Sequence, residues 1–498
     1  MRAAVDRGTK FPYLRQDFAA SVVVFLVALP LCVGVAVASG VPAELGLITG
    51  IVGGLVTGVM RGSSLQVSGP AAGLTVLVFE AVQSFGLAAL GVIVLATGLL
   101  QLAMGAMRLG RWFRAISVSV VEGMLAGIGL VLIAGQLYAA AGIAAPRTGT
   151  GKIAGLPGML AEALSSTTAL ISLAMGAGTI VLVVAWTRTP KRVRAVPGAL
   201  AAVALATVAT LVFDLPVATV RVQGVLDAVR LPGFGEFGGA SVFGLLGTIA
   251  AFTLIASAES LFSAAAVDRL HDGPRTRYDQ ELMAQGAGNT VCGLLGALPM
   301  TAVIVRSSAN VRAGARTRAS RVLHGVWLLL FAALLPSALE LIPLPALAGI
   351  LIHAGWKLIP LRAIATLWRE HRGEALILVV TAVAIVAVNM FEGVLTGLAL
   401  SVAKAAWDAS HIKLEVIDRS DGCIRARLSG NATFLRLPKI LDSLEALPDD
   451  RPISLDLSGL NHLDHACRTA LENWAERHSA TGTEPVRLTR TDAVTAAP

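Results

Sequence analysis

The sequence predicts an all-α polytopic membrane protein of fourteen transmembrane segments, followed by a small cytosolic α/β domain. Three observations carry that prediction. Of the 498 residues, 55% are apolar and only 14% are charged, a balance too greasy for a water-soluble fold. Down to about residue 410 the chain is a series of apolar stretches near twenty residues long, the length that crosses a bilayer core as a helix. Lysine and arginine collect in alternate joints between those stretches, as cytosolic loops require. Together these exclude a single-span anchored enzyme.

In chain order, residues 1–17 are basic and polar and read as a cytosolic leader, because the apolar run that follows is too long for a signal peptide and lacks a clear cleavage site. Segments are expected near 18–39, 44–60, 70–83, 87–106, 117–138, 169–187, 198–213, 242–266, 281–297, 306–313, 322–336, 345–358, 374–389 and 391–407, which makes 18–408 the membrane domain. Two of them are wrong for full crossings. Residues 70–83 reach only about 20 Å at helical rise against a hydrocarbon core of about 30 Å, and residues 306–313 are shorter and charged. Both are expected to be half-helices. On this map 24 cations, Arg114, Lys191, Arg192, Arg194 and Arg321 among them, fall in loops on one side and only four, Arg147, Lys152, Arg221 and Arg230, on the other, with Arg306 and the soluble tail set aside. Both termini are therefore expected in the cytosol, in a bacterial-type plasma (inner) membrane. The net charge of +8 follows from such loops and implies no nucleic-acid partner. Cys32, Cys292, Cys423 and Cys467 are scattered, without the spacing of a disulfide framework or zinc site.

Beyond Lys404 the composition becomes that of soluble protein. Alternation over 412–416 and 423–428 predicts two strands, followed by a helix at 437–447, a strand at 453–457, a helix at 466–478 and a last strand at 486–488. Residues 411–490 thus form an α/β domain, and 491–498 a disordered tail.

Chemistry is expected where the backbone breaks inside the membrane, because unwound backbone there must line a cavity or be buried in protein. The first break runs from Gln66 to Gly73: an extended pair enters a helix whose Pro70 suits a first turn. Its small residues Ser68, Gly69 and Ala71 leave the free N–H groups and positive dipole end open to an anion. The competing reading is close helix packing through small residues. The second break passes from Leu298–Thr301 into Val303–Asn310, with Arg306, Ser307 and Ser308 at a helix start. An arginine inside a span costs about 2.5–3.5 kcal/mol on insertion scales, so it usually faces a cavity, a carboxylate or a substrate. Arg306 is expected to place forked donors beside an oxyanion; otherwise it snorkels to the cytosolic face or pairs with Glu259. Glu259 and its i+4 neighbour Ser263 share one helix face, and a carboxylate there suits a proton carrier or a sodium ligand. Glu80 and Glu122 lie toward segment ends and read as structural or interfacial.

These residues carry a family resemblance. The runs Gln66–Gly73, Ala258–Ala264 and Val305–Thr317 resemble the SulP family of inorganic anion transporters, and the soluble region, with Asp456–Cys467 as its strand-to-helix passage, resembles that family's STAS domain. Nucleobase permeases share the topology but generally lack the STAS tail. The resemblance implies a 7+7 inverted repeat divided into core and gate domains, with the third and tenth segments meeting head to head at the substrate. It implies elevator-type secondary transport of sulfate or bicarbonate coupled to H+ or Na+, and a homodimer. An uncoupled channel or exchanger, or a dicarboxylate transporter, is the alternative on the same fold. The implied anion site falls on Ser68–Gly69 and Arg306–Ser307, and the coupling carboxylate on Glu259. Sodium-using relatives carry Asp and Thr where Glu259 and Ser263 stand, which leaves the coupling ion open. His465 occupies the place of the phosphorylatable Ser of regulatory STAS domains, so a serine switch is not expected there. His462, His465 and Cys467 lack a fourth zinc ligand. No cofactor and no enzymatic activity are expected.

Overall fold

The computed structural model describes residues 13–111, 117–146, 148–190, 196–221, 224, 227–232, 242–418, 423–448, 451–481 and 485–489. Most of the expected leader and all of the expected tail at 491–498 lie outside the described residues, as do the loop cations Arg114, Arg147, Lys191, Arg192 and Arg194. The chain divides into two compact units, Met1–Leu398 and Ala399–Pro498.

The first unit is helical apart from two short strands. Its helices are α1 (Leu14–Ala38), α2 (Ala43–Val52), α3 (Thr75–Phe85), α4 (Leu87–Ala106), α5 (Val118–Ala141), α6 (Gly149–Ala154), α7 (Leu156–Ser165), α8 (Thr167–Trp186), α9 (Gly198–Phe213), α10 (Val242–Val267), α11 (Tyr278–Leu294), α12 (Ile304–Arg312), α13 (Ala319–Leu334), α14 (Ser337–Glu340), α15 (Leu344–Leu358), α16 (Leu361–Glu370), α17 (Arg372–Ala387) and α18 (Met390–Ala409), the last running on into the second unit. A helix covers each apolar stretch read from the sequence. Among the described residues, six stretches are long and apolar enough to cross a bilayer unaided: α1, α4, α5, α8, α10 and the α15–α16 run. Four short helices, α6, α7, α14 and α16, arise in the joints. Of these, α16 alternates Arg362 and Arg369 with exposed Leu361 and Trp368, the pattern of a helix lying along a headgroup layer.

Glycines let the helices approach backbone to backbone. A Cβ on Gly98 would stand 2.3 Å from the Thr290 nitrogen, and one on Gly293 would stand 2.3 Å from that of Leu95, so α4 and α11 pack without side chains between them. Helix α2 continues as a π-helical turn, Gly53–Thr57. The widened turn falls where another strand presses in, since a Cβ on Gly53 would stand 2.4 Å from the Ser68 carbonyl oxygen.

In the second unit the strands β3 (Ile412–Asp418), β4 (Ile424–Ala432), β5 (Ile453–Leu463) and β6 (Arg487–Thr489) lie in the order β3-β4-β5-β6. The first pair is antiparallel and the others are parallel. Helices α19 (Leu437–Glu445) and α20 (His465–Thr481) supply the crossovers. Ile440, Leu444, Leu471 and Trp474 pack with Ala426, Leu428 and Leu455 in its core. Strand β5 runs six residues past the expected end at Leu457, because Ser429–Ala432 of β4 keep pairing with Gly459–Leu463.

Asp456 is buried in this sheet. It accepts from the Ser458 hydroxyl at 2.6 Å, the Ser458 N–H at 2.9 Å and Arg425 Nη2 at 2.6 Å. These donors, the Ser458 hydroxyl foremost, hold its carboxyl down to about 2. A depressed carboxylate stabilises the fold above its unfolded pKa of about 4, and that contribution fades as pH falls toward the folded value. Asp456→Asn is therefore expected to weaken hydrogen-exchange protection over 453–463 of the full chain at pH 7. The gap to wild type should close toward pH 2, and a gap independent of pH would contradict this.

Candidate anion-binding site

Two three-residue strands meet inside the helical unit. β1 (Ser68–Pro70) pairs antiparallel with β2 (Met300–Ala302) in the register Ser68↔Ala302, Gly69↔Thr301 and Pro70↔Met300. Each strand feeds a helix start: β1 leads through a 3₁₀ turn at Ala72–Leu74 into α3, and β2 leads directly into α12. Because the strands run in opposite directions, the two helices leave the ladder from opposite ends, and their N-termini flank it from both sides. Neither N-terminus carries a side-chain cap, so the positive dipole ends of both helices lie uncovered at the ladder.

Ser307 fastens the junction. Its hydroxyl donates to the Val303 carbonyl at 2.7 Å and accepts from the Val67 N–H at 2.9 Å, while the Val303 N–H donates to the Val67 carbonyl at 3.0 Å. Ser308 donates back to Val305 at 3.0 Å and is half-buried. Ser68 and Ala71 are buried at the ladder and the turn.

Arg306 is 1% exposed. Its Nη2 crosses to the Pro70 carbonyl at 3.2 Å, whereas Nε and Nη1 are buried without a protein partner. Gly69 is what admits it: a Cβ there would stand 2.1 Å from Nη1. Cys32 of α1 and His324 of α13 lie close by, both fully buried. Arg306 therefore does not snorkel, and no ion pair joins it to Glu259. Within the described residues the cation meets one carbonyl, that of Pro70, and no carboxylate, and the positive helix ends add to its charge rather than offset it, which leaves the site electropositive.

The Glu259 carboxylate lies against the first turn leading to α3, where a Cβ on Gly73 would be 2.7–2.9 Å from it. Thr301 stands beside it, and its Oε2 is buried and unpartnered. Ser263, one turn on, is buried. Thus Ser68, Gly69, Ala71, Arg306 and Ser307 come together at one ladder, with Glu259 against its edge. A small apolar cavity lined by Val121, Met124, Ala258 and Phe262 runs along the same helix as Glu259. A larger one of about 310 Å³, lined by Ala139, Glu162, Ser172 and Leu344, shares no residue with the ladder.

Sequence reasoning missed the supports. Arg321, assigned to a cytosolic loop, is 3% exposed, and its guanidinium donates to the carbonyls of Ser63 (2.6 Å), Gln66 (3.2 Å), Thr57 (2.6 Å) and Gly58 (2.9 Å). The loop before β1 closes around it. Asn289 accepts from the Met300 N–H at 2.7 Å and donates to the Met300 carbonyl at 3.1 Å and to Gln101 at 2.8 Å, which fixes β2. The signal for α11 was present: Glu281, Gln285 and Asn289 recur at i, i+4 and i+8 in a helix that is otherwise small or apolar beyond its first turn. Lys152, assigned to an outer loop, is a buried residue of α6 with its ammonium 5.0 Å from the Phe79 ring centroid.

A multi-pass helical membrane unit in which two discontinuous segments meet at a short ladder is an architecture in which membrane transporters build solute sites. The chain matches the family model described as the sulfate permease family over residues 14–381, and it belongs to that family of membrane anion transporters, which are not enzymes. It is 27% identical to the bicarbonate transporter BicA of Picosynechococcus over 94% of this chain and 87% of the relative. It is also 27% identical to the putative sulfate transporter YvdB of Bacillus subtilis, over 79% and 74%. Its fold is similar to the transmembrane domain of a cyanobacterial BicA (TM-score 0.67, 23% identity, 79% of this chain and 98% of that one). It is also similar to SLC26A9, with a TM-score of 0.79 at 16% identity over 97% and 86%.

Proposed function

We propose that the chain moves an inorganic anion, sulfate or bicarbonate, across the plasma membrane as a secondary active transporter coupled to H+ or Na+. One observation carries this reading: a buried guanidinium with two unpartnered nitrogens at the meeting point of two uncapped helix N-termini. The names of the relatives support the two candidate anions. In this reading the fourteen segments form a 7+7 inverted repeat, a core bearing the ladder moves against a gate in elevator fashion, and both termini are cytosolic. The C-terminal unit is a STAS domain, and the protein works as a homodimer. The anion is held by the Ser68 hydroxyl, the free Arg306 nitrogens and the N–H groups around Gly69, Ala71 and the start of α12. Ser307 and Ser308 shape the helix start. Glu259, with Ser263, carries the coupling ion.

The test is uptake of labelled sulfate and bicarbonate into proteoliposomes under imposed proton and sodium gradients. Glu259→Gln is expected to abolish gradient-driven accumulation while leaving anion binding in place. Unchanged concentrative uptake would reject Glu259 as the coupling group. Wild-type initial uptake indifferent to both gradients would favour an uncoupled channel or exchanger.

A further inference from the structure

The Gln285 Nε2 donates to the Ser68 hydroxyl oxygen at 2.7 Å and to Glu281 Oε1 at 2.7 Å. Glu281 is held in turn: its Oε2 accepts from the Ser63 N–H at 2.7 Å, and the Arg321 guanidinium lies near enough to interact with its charge. All four side chains are buried, with Gln285 at 0% and Glu281 at 2% exposure. The carboxylate settles which way the amide points, because an ionised Glu281 accepts hydrogen bonds and does not donate them, so only the nitrogen end of Gln285 can face it. That end also meets Ser68. The Ser68 oxygen is then an acceptor toward Gln285, and its own proton, which has no acceptor among the described residues, is left to donate. The same helix face serves the opposite strand through Asn289, which fixes the Met300 backbone.

We infer that Glu281 and Gln285 are positioning residues that hold the Ser68 hydroxyl as a donor to the transported oxyanion and thereby set the affinity of the site. This rests on the anion site proposed above. Flipping the amide would turn its carbonyl oxygen to Ser68, consume the hydroxyl proton and leave an oxygen facing the anion in place of a donor.

The test measures half-saturation and maximal rate for uptake of labelled sulfate and labelled bicarbonate into proteoliposomes, in the full chain and in Ser68→Ala, Gln285→Met, their double variant and Glu281→Gln. Ser68→Ala is expected to raise half-saturation about tenfold, the worth of one hydrogen bond to a charged group. Gln285→Met should do the same, and the double variant should add nothing further, because the two act through one hydroxyl. Glu281→Gln keeps the shape of the side chain and releases the amide, so it should raise half-saturation by more than it lowers the maximal rate. Additive effects of Ser68→Ala and Gln285→Met overturn the relay. So does a Gln285→Met or Glu281→Gln protein that loses maximal rate or folded yield without a change in half-saturation, since that marks a merely structural role. Ser68→Ala with unchanged half-saturation overturns the anion site itself, and wild-type protein that takes up neither anion overturns both.

Discussion

Arg321→Met is expected to destabilise the membrane unit by about 3–5 kcal/mol, the cost of removing one member from a buried charged network. The guanidinium donates to the carbonyls of Thr57, Gly58, Ser63 and Gln66, and it stands near Glu281. Methionine fills the volume and supplies no donor, so these carbonyls would be left buried with one partner fewer and Glu281 without its neighbouring cation. Because these carbonyls bracket the segment that runs from the end of the π-helical turn into β1, the anion site would loosen with it. Arg321→Lys keeps the charge but not the fork, and is expected to fall between the two. Thermal unfolding of the detergent-purified full chain measures this. A methionine variant as stable as wild type would mean that the loop is held by something other than Arg321.

Arg306→Ala is expected to lower anion uptake about thirtyfold or more, since truncating a buried charge that binds an opposite charge costs about 2–5 kcal/mol. It should also leave Pro70 without its cross-ladder donor. Gly69→Ala tests the same point without changing any charge. Its methyl would come within 2.1 Å of Nη1, so the guanidinium must move from its seat and uptake should fall in parallel. Both are read from initial uptake rates in proteoliposomes at matched protein density. Wild-type rates in Arg306→Ala would remove the guanidinium from the transport cycle.

The helices were legible because bilayer length and apolar composition are properties of single segments. The two breaks were legible as well, since Pro70 and Pro299 interrupt apolar runs beside small residues. Their pairing was not: three residues from each half of the chain carry no alternation long enough to declare a strand, and register is a property of the partner. For the same reason the fastening by Ser307 of Val67 to Val303 could not be read from a serine at a helix start. Arg321 was misplaced because counting cations by side assigns every arginine near a segment end to a loop. Arg318 also reaches this segment, at the Val59 and Met60 carbonyls, but Arg316 and Arg318 are exposed, and burial distinguishes Arg321 from both. Gln285 and Asn289 were within reach of a helical-spacing argument, but the apolar length of α11 drew attention to the span rather than to its polar face.

The most direct measurement is a pair of cryo-EM maps of the full chain in lipid nanodiscs, one with saturating sulfate or bicarbonate and one without. The account predicts residues 68–70 laddered to 300–302 in both. It also predicts solute density within about 3 Å of the Ser68 hydroxyl and the Arg306 guanidinium in the first map alone. Residues 68–72 and 305–309 lying far apart or within unbroken helices, or solute density elsewhere in the unit, would contradict it.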